Sequence, residues 1–125
     1  MKATTTATSC SIKTVVGNDG VEGSFIPAEG GMAFFESEVR MVGTDQFVET
    51  GTISFGDDHT LNFATVGHGT IGPGVDTNTM IGAVIWKVDG GEGQFEKASG
   101  YITSNFSVNA EGDVVDYHMG SIFLA

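Results

Sequence analysis

Gly90-Gly91-Glu92-Gly93-Gln94-Phe95-Glu96-Lys97-Ala98-Ser99-Gly100, followed by Tyr101-Ile102-Thr103-Ser104-Asn105-Phe106-Ser107-Val108, is the stretch whose reading decides the fold. Its opening glycines read as a tight turn, because glycine serves where φ is positive or where backbones approach closely. Phe95 and Ala98 are three apart, so a single helical turn places both on one side as inward anchors. Gly100 then leads into an alternating strand. A phosphate loop is excluded, because no Gly-Lys-Ser/Thr follows and the next element is a strand, not a helix. A dinucleotide site would need a βαβ unit, which the pattern lacks.

Outward from this stretch the chain reads as strand after strand. β-branched and apolar runs fall at residues 4–15, 31–42, 46–55, 60–67, 79–88, 100–108 and 114–124. Turn signals separate several of them: Gly17-Asn18-Asp19-Gly20, Gly43-Thr44-Asp45, Gly56-Asp57-Asp58 and Asn109-Ala110-Glu111-Gly112. Residues 67–79 are polar, rich in glycine and contain Pro73, which predicts the longest loop. No long segment has apolar spacing of 3.6, so helix is limited to one turn near 94–99 and another near 21–28. About eight strands joined by short turns predict an antiparallel meander. Such a meander closes into a barrel, because closure removes exposed edges. A barrel of that size has room for side chains or one small ligand. The 125 residues are read as a single barrel domain, 1–125. A chain of this length buries about two-thirds of its unfolded surface, enough for a core without disulfide or metal.

Sixteen acidic residues against five basic ones give a net charge of −11. That sign argues against a nucleic-acid partner and against an anionic membrane surface. No apolar run approaches the ~20 residues of a membrane helix. Cys10 is the only cysteine, so no intrachain disulfide forms, and residues 1–11 lack the apolar stretch of a signal peptide. The expectation is a cytoplasmic protein with a neutral or weakly charged ligand.

Alternation assigns faces. In 31–42, Phe35, Ser37 and Val39 share one side, and Phe34, Glu36, Glu38 and Arg40 the other. The segments 79–88 and 114–124 are apolar on both sides, so both faces are covered. The simplest cover is another subunit, which predicts a homo-oligomer, a dimer or trimer.

The block 90–100, with the strand after it and the final Gly120-Ser121-Ile122-Phe123-Leu124, resembles the allene oxide cyclase-like barrels. That group includes plant allene oxide cyclases, dirigent proteins and bacterial polyketide cyclases. The resemblance covers roughly the last third of the chain. It implies an all-β, eight-stranded antiparallel barrel of the allene oxide cyclase-like, calycin-like type, often dimeric or trimeric, with little helix. It further implies a cavity for a hydrophobic, oxygenated small molecule, and ring closure or addition steered by shape without a redox cofactor. The motif is structural and carries over no catalytic residue.

Candidate chemistry therefore rests on strand faces and strand ends. Glu36 and Arg40 are candidate catalytic residues: a glutamate beside an arginine inside a barrel is held ionised and acts as base. On an outer face the same residues, with Glu38, form an ordinary solvated ion pair. His68 ends a strand, where sites gather. His118 shares a face with Asp116, which orients it or forms a plain surface pair. His59 reads as an exposed turn residue. Phe34, Glu38, Trp86, Tyr101, Asn105, Phe106, Asp116 and Tyr117 are candidate substrate-binding residues, the aromatics serving either as core or as a ligand wall. Neither His-x-His with a following Glu nor His-Glu-x-x-His occurs, so no metal and no other cofactor is expected. Two functions follow: a cofactor-free lyase, isomerase or cyclase acting on an apolar oxygenated or aromatic metabolite, or a non-catalytic carrier of such a molecule. A structural oligomer with a filled barrel is the third.

Overall fold

The computed structural model describes residues 35–55, 58–76, 78–112 and 114–124, with the backbone alone of Phe34 and of three strands nearer the N-terminus. Those three are β1 (Lys2–Thr6), β2 (Thr14–Val16) and β3 (Glu22–Ser24). The turn expected at 17–20 and Cys10 lie outside the described residues; of the helical turn expected near 21–28, residues Glu22–Ser24 are instead strand β3, paired with β2, and the rest lies outside the described residues. The remaining strands are β4 (Phe34–Met41), β5 (Gln46–Ser54), β6 (Thr60–Thr65), β7 (Gly69–Pro73), β8 (Met80–Glu92), β9 (Ser99–Val108) and β10 (Val114–Phe123). The all-β expectation holds, and every pairing is antiparallel.

One sheet runs in the order β1-β4-β5-β6-β8-β9-β10, with β7 paired to both β5 and β8. β5, β6, β8 and β7 therefore close a ring of four antiparallel pairings, and the other strands lie outside it. β6 and β7 sit end to end between the same two neighbours. β5 offers Thr50–Ser54 to β6 and Gln46 and Phe47 to β7, and β8 divides its length in the same way. Val66, Gly67 and His68 bulge out between them. The β2–β3 hairpin stands apart as a two-stranded sheet.

The sheet curls on itself. β4 and β10 are five strand steps apart, about 24 Å in a flat sheet at ~4.8 Å per step. Yet Phe35 on β4 and His118 on β10 have ring centroids 6.1 Å apart. The concave face so formed is the core. It holds Phe47, Ile53, Leu61, Phe63, Val84, Trp86, Val88, Ile102 and Ile122, all 8% exposed or less. Several rings lie flat over glycines: a Cβ on Gly82 would overlap the Phe106 ring, and one on Gly51 would come 2.8 Å from Phe63. The core thus gains large apolar area where the sheet bends.

Three expectations change. Residues 67–79 are not one long loop, because β7 occupies Gly69–Pro73; Pro73 closes that strand, where a missing N–H is tolerated. Of the single strand expected over 4–15, the described residues show β1 as far as Thr6 and β2 from Thr14, which belong to different sheets. The glycine pair at 90–91 is not a turn, since β8 continues through it to Glu92. A register shift opposite Leu61 and Phe63 makes it a bulge, and a side chain at Gly91 would overlap the Thr60 carbonyl. The turn begins at Gly93, whose φ of 63° favours glycine, and winds once as a 3-10 helix to Phe95. Phe95 is fully buried and Ala98 nearly so, closing one end of the core with Phe55.

Candidate functional site

Among the described residues the only buried polar side chains are Ser37, Glu49 and Ser104, at 2%, 8% and 1% exposure. All three stand on the concave face. Pairing registers carry that face from Phe35, Ser37 and Val39 through Glu49, Phe63, Thr65, Trp86 and Ser104 to Asp116 and His118. Polar groups amid aromatic rings are costly unless bonded, and here Ser37 is bonded to Glu49 and Ser104 to Asp116.

Each of the two carboxylates is held by a serine from the next strand. Ser37 Oγ donates to Glu49 Oε2 at 2.6 Å, and Ser104 Oγ donates to Asp116 Oδ1 at 2.6 Å. Short hydroxyl–carboxylate bonds are stronger than neutral ones and fix the acceptor's rotamer. The backbone of Glu49 is clamped as well. Its N–H donates to Thr65 Oγ1 at 2.7 Å, and that hydroxyl donates to the Glu49 carbonyl at 2.8 Å. The clamp stands where the β5–β6 ladder ends and the bulge begins, so a threonine side chain replaces the lost ladder bonds.

Asp116 Oδ2 lies 2.8 Å from His118 Nε2. The two side chains are 27% and 33% exposed, so the pair sits at the open margin of the concave face. Trp86 stands edge-on to the imidazole, centroids 5.0 Å apart and planes at 81°. Phe35 covers it from β4, and Phe63 stacks on Trp86 at 4.2 Å. Burial raises the Glu49 carboxyl above its usual range; the Ser37 hydrogen bond lowers it, the Asp116 charge raises it, and the Trp86 N–H and His118 lower it. No lysine or arginine faces this cluster among the described residues: Arg40 and Lys87 lie on the other side of the sheet.

The arrangement holds two carboxyl groups and an imidazole in fixed rotamers within an aromatic wall. The Asp116–His118 pair can take up and return a proton, with Asp116 stabilising the imidazolium that forms. The described residues contain no group of three or more His, Cys, Asp or Glu side chains placed to hold a metal ion.

Of the residues singled out from sequence, Trp86, Phe106, Asp116 and His118 meet on this face. Glu36, Glu38, Arg40, Tyr101, Asn105 and Tyr117 project from the opposite side of the sheet, and the backbone places Phe34 there too. His68 is exposed in the bulge, beside a shallow outer groove of about 360 Å³ that also involves Thr70, Ile85, Thr103 and Asn105. His59 is half-buried, not exposed: its Nδ1 accepts the Gln94 N–H at 3.2 Å, which ties the β6 approach to the 3-10 turn. Glu49 and the holding serines were missed. Ser37 does alternate with Phe35 and Val39, and that apolar company marks an inward serine.

No family model, no curated protein and no solved structure matches this chain. No described helix is long and apolar enough to cross a membrane.

Proposed function

We propose that this protein is a cofactor-free acid–base enzyme, a lyase, isomerase or cyclase, acting on an apolar oxygenated or aromatic metabolite. The observation that carries the reading is the Asp116–His118 pair, at 2.8 Å, set against Phe35 and Trp86 on the concave face. His118 moves the proton. Asp116 orients the ring and balances its charge, and Ser104 holds Asp116. The aromatic rings fix the pose, which lowers the barrier by orientation. Glu36 and Arg40, on the other side of the sheet, take no part.

The same reading includes an eight-stranded closed barrel of the allene oxide cyclase-like type, a cytoplasmic location and a homo-oligomer. The 90–124 segment supports the first. The net charge of −11 is compatible with the second. The third is supported by the exposed apolar strip on the outer face of β8–β10.

The test is incubation with a metabolite extract, followed by mass spectrometry, for wild type and His118→Gln. A compound converted by wild type and spared by the variant supports the enzyme. Equal conversion by both removes His118 from its role. A compound retained unchanged through gel filtration, with nothing converted, moves the reading to a carrier.

A further inference from the structure

Trp86 is 1% exposed, and its buried Nε1 makes no hydrogen bond of good geometry, the Glu49 carboxyl being near it but poorly aligned. An indole N–H is a donor only, so what it lacks is an acceptor. Native structures rarely leave such a donor unmet, and an exception marks a place where something else binds. The orphan donor faces the Glu49 carboxyl, whose Oε2 is already engaged by Ser37. Burial raises the pKa of that carboxyl, against the lowering by Ser37, Trp86 and His118. The indole N–H thus stands beside the Asp116–His118 pair on the same face.

We propose that this site takes a carbonyl compound bearing an acidic C–H next to the carbonyl, with Trp86 Nε1–H donating to the carbonyl oxygen. The proposal rests on the acid–base reading above and names its substrate class. His118 Nε2 is turned to Asp116, so a ring with its proton there keeps a lone pair on Nδ1. Nδ1 takes the proton from the carbon next to the carbonyl. The C–H bonding pair becomes the new C=C bond, and the C=O π pair moves onto oxygen. Charge then grows where the indole N–H points. Where a further C=C is conjugated with the enolate, return of the proton to the far carbon of that C=C gives an isomer, with no atom gained or lost. Phosphates and carboxylates are poor candidates, because no lysine or arginine faces the cluster among the described residues and Asp116 repels them. A neutral molecule that acquires charge only in transit suits these groups.

Trp86 is the only tryptophan in the chain, so its emission and its single indole N–H resonance report this site alone. The probes are a naphthol, whose oxygen mimics an enolate, and naphthalene, which has the ring without the oxygen. Naphthol is expected to quench Trp86 emission and to move the indole N–H resonance downfield. Trp86→Phe, followed by naphthol's own emission, is expected to weaken naphthol binding about 10-fold, the scale of one hydrogen bond to a developing charge. Naphthalene affinity should change far less. Equal weakening of both probes means that Trp86 only packs, which overturns the donor role and leaves the small-molecule reading standing. If Trp86→Phe does not fold, the wild-type resonance decides: an unmoved indole N–H with naphthol bound overturns the proposal. Failure of naphthol to bind wild type at millimolar concentration overturns the proposal, and failure of both probes overturns the acid–base reading as well.

Discussion

Phe35 and His118 meet across the interior with ring centroids 6.1 Å apart, although their strands are the second and the last of the sheet order. Phe35 also stacks on Phe63 at 5.6 Å and leans on Trp86 at 5.7 Å. One half-buried side chain therefore joins the aromatic core to the acid–base pair. Curling of the sheet and assembly of the site are the same event.

Removing that ring should cost both. Phe35→Ala is expected to destabilise the fold by about 2–4 kcal/mol, toward the lower part of the range for core phenylalanines because the ring is only half-buried. Glu38→Ala, three residues on and exposed on the opposite face, should stay within about 0.5 kcal/mol. Urea melts of the two variants check the pair. Comparable losses would mean that the faces of β4 are assigned the wrong way round.

Much of this was legible before the structure. Alternation along β4 sorted Phe35, Ser37 and Val39 from Glu36, Glu38 and Arg40, and Asp116 and His118 were matched as neighbours. What a single strand does not reveal is which of its faces looks inward, since that depends on strands it never touches in sequence. Glu49 was invisible for a related reason. In Phe47-Val48-Glu49-Thr50 it reads as a polar residue near a strand end. Only Ser37 from one neighbour and Thr65 from another make its burial affordable. The glycine pair at 90–91 misled because glycine marks bulges as well as turns.

The glycines of that motif give a sharp steric test. A Cβ at Gly93 would overlap the Asp58 carbonyl and come 2.6 Å from His59 Nδ1, on top of a φ of 63°. Gly112 has a positive φ of 87° but open space around it. Gly112→Ala should cost about 1–2 kcal/mol, the conformational penalty alone. Gly93→Ala should cost clearly more, since the hydrogen bond between His59 and Gln94 must shift as well. Thermal melts of the two variants make the comparison, and equal losses would contradict it.

The outer face predicts assembly. Ile81, Ile85, Tyr101, Val115, Tyr117 and Met119 are 48–78% exposed there on three adjacent strands. An apolar strip of this kind on an acidic chain marks an interaction surface. Wild type is expected to sediment as a dimer or trimer, and the double variant Tyr117→Lys with Met119→Lys as a monomer with unchanged circular dichroism. Sedimentation of wild type as a monomer at micromolar concentration would contradict the assembly.

Glu49 sets the pH dependence that belongs to the site. Burial raises its carboxyl above the ordinary value of 4.5, against the lowering effect of Ser37, and Asp116 raises it further while Trp86 and His118 lower it. Below 4.5 the folded and unfolded chains both hold this proton. Between that value and the raised folded value, the unfolded chain has released it and the folded chain has not. The unfolded state then binds fewer protons, so the unfolding free energy falls as pH rises through the window and levels off above it. Glu49→Gln removes this term while keeping an oxygen for Ser37 to bond. The variant's stability relative to wild type should therefore increase from acid to neutral pH. Asp116 and His118 face Glu49 from β10 and are common to both proteins, so the difference between the two urea-melt series isolates Glu49. Ser37→Ala removes the hydrogen bond that favours the ionised form, and it should extend the window to higher pH. A flat difference curve, or one of opposite slope, would mean that Glu49 is ionised in the folded protein as readily as in the unfolded chain.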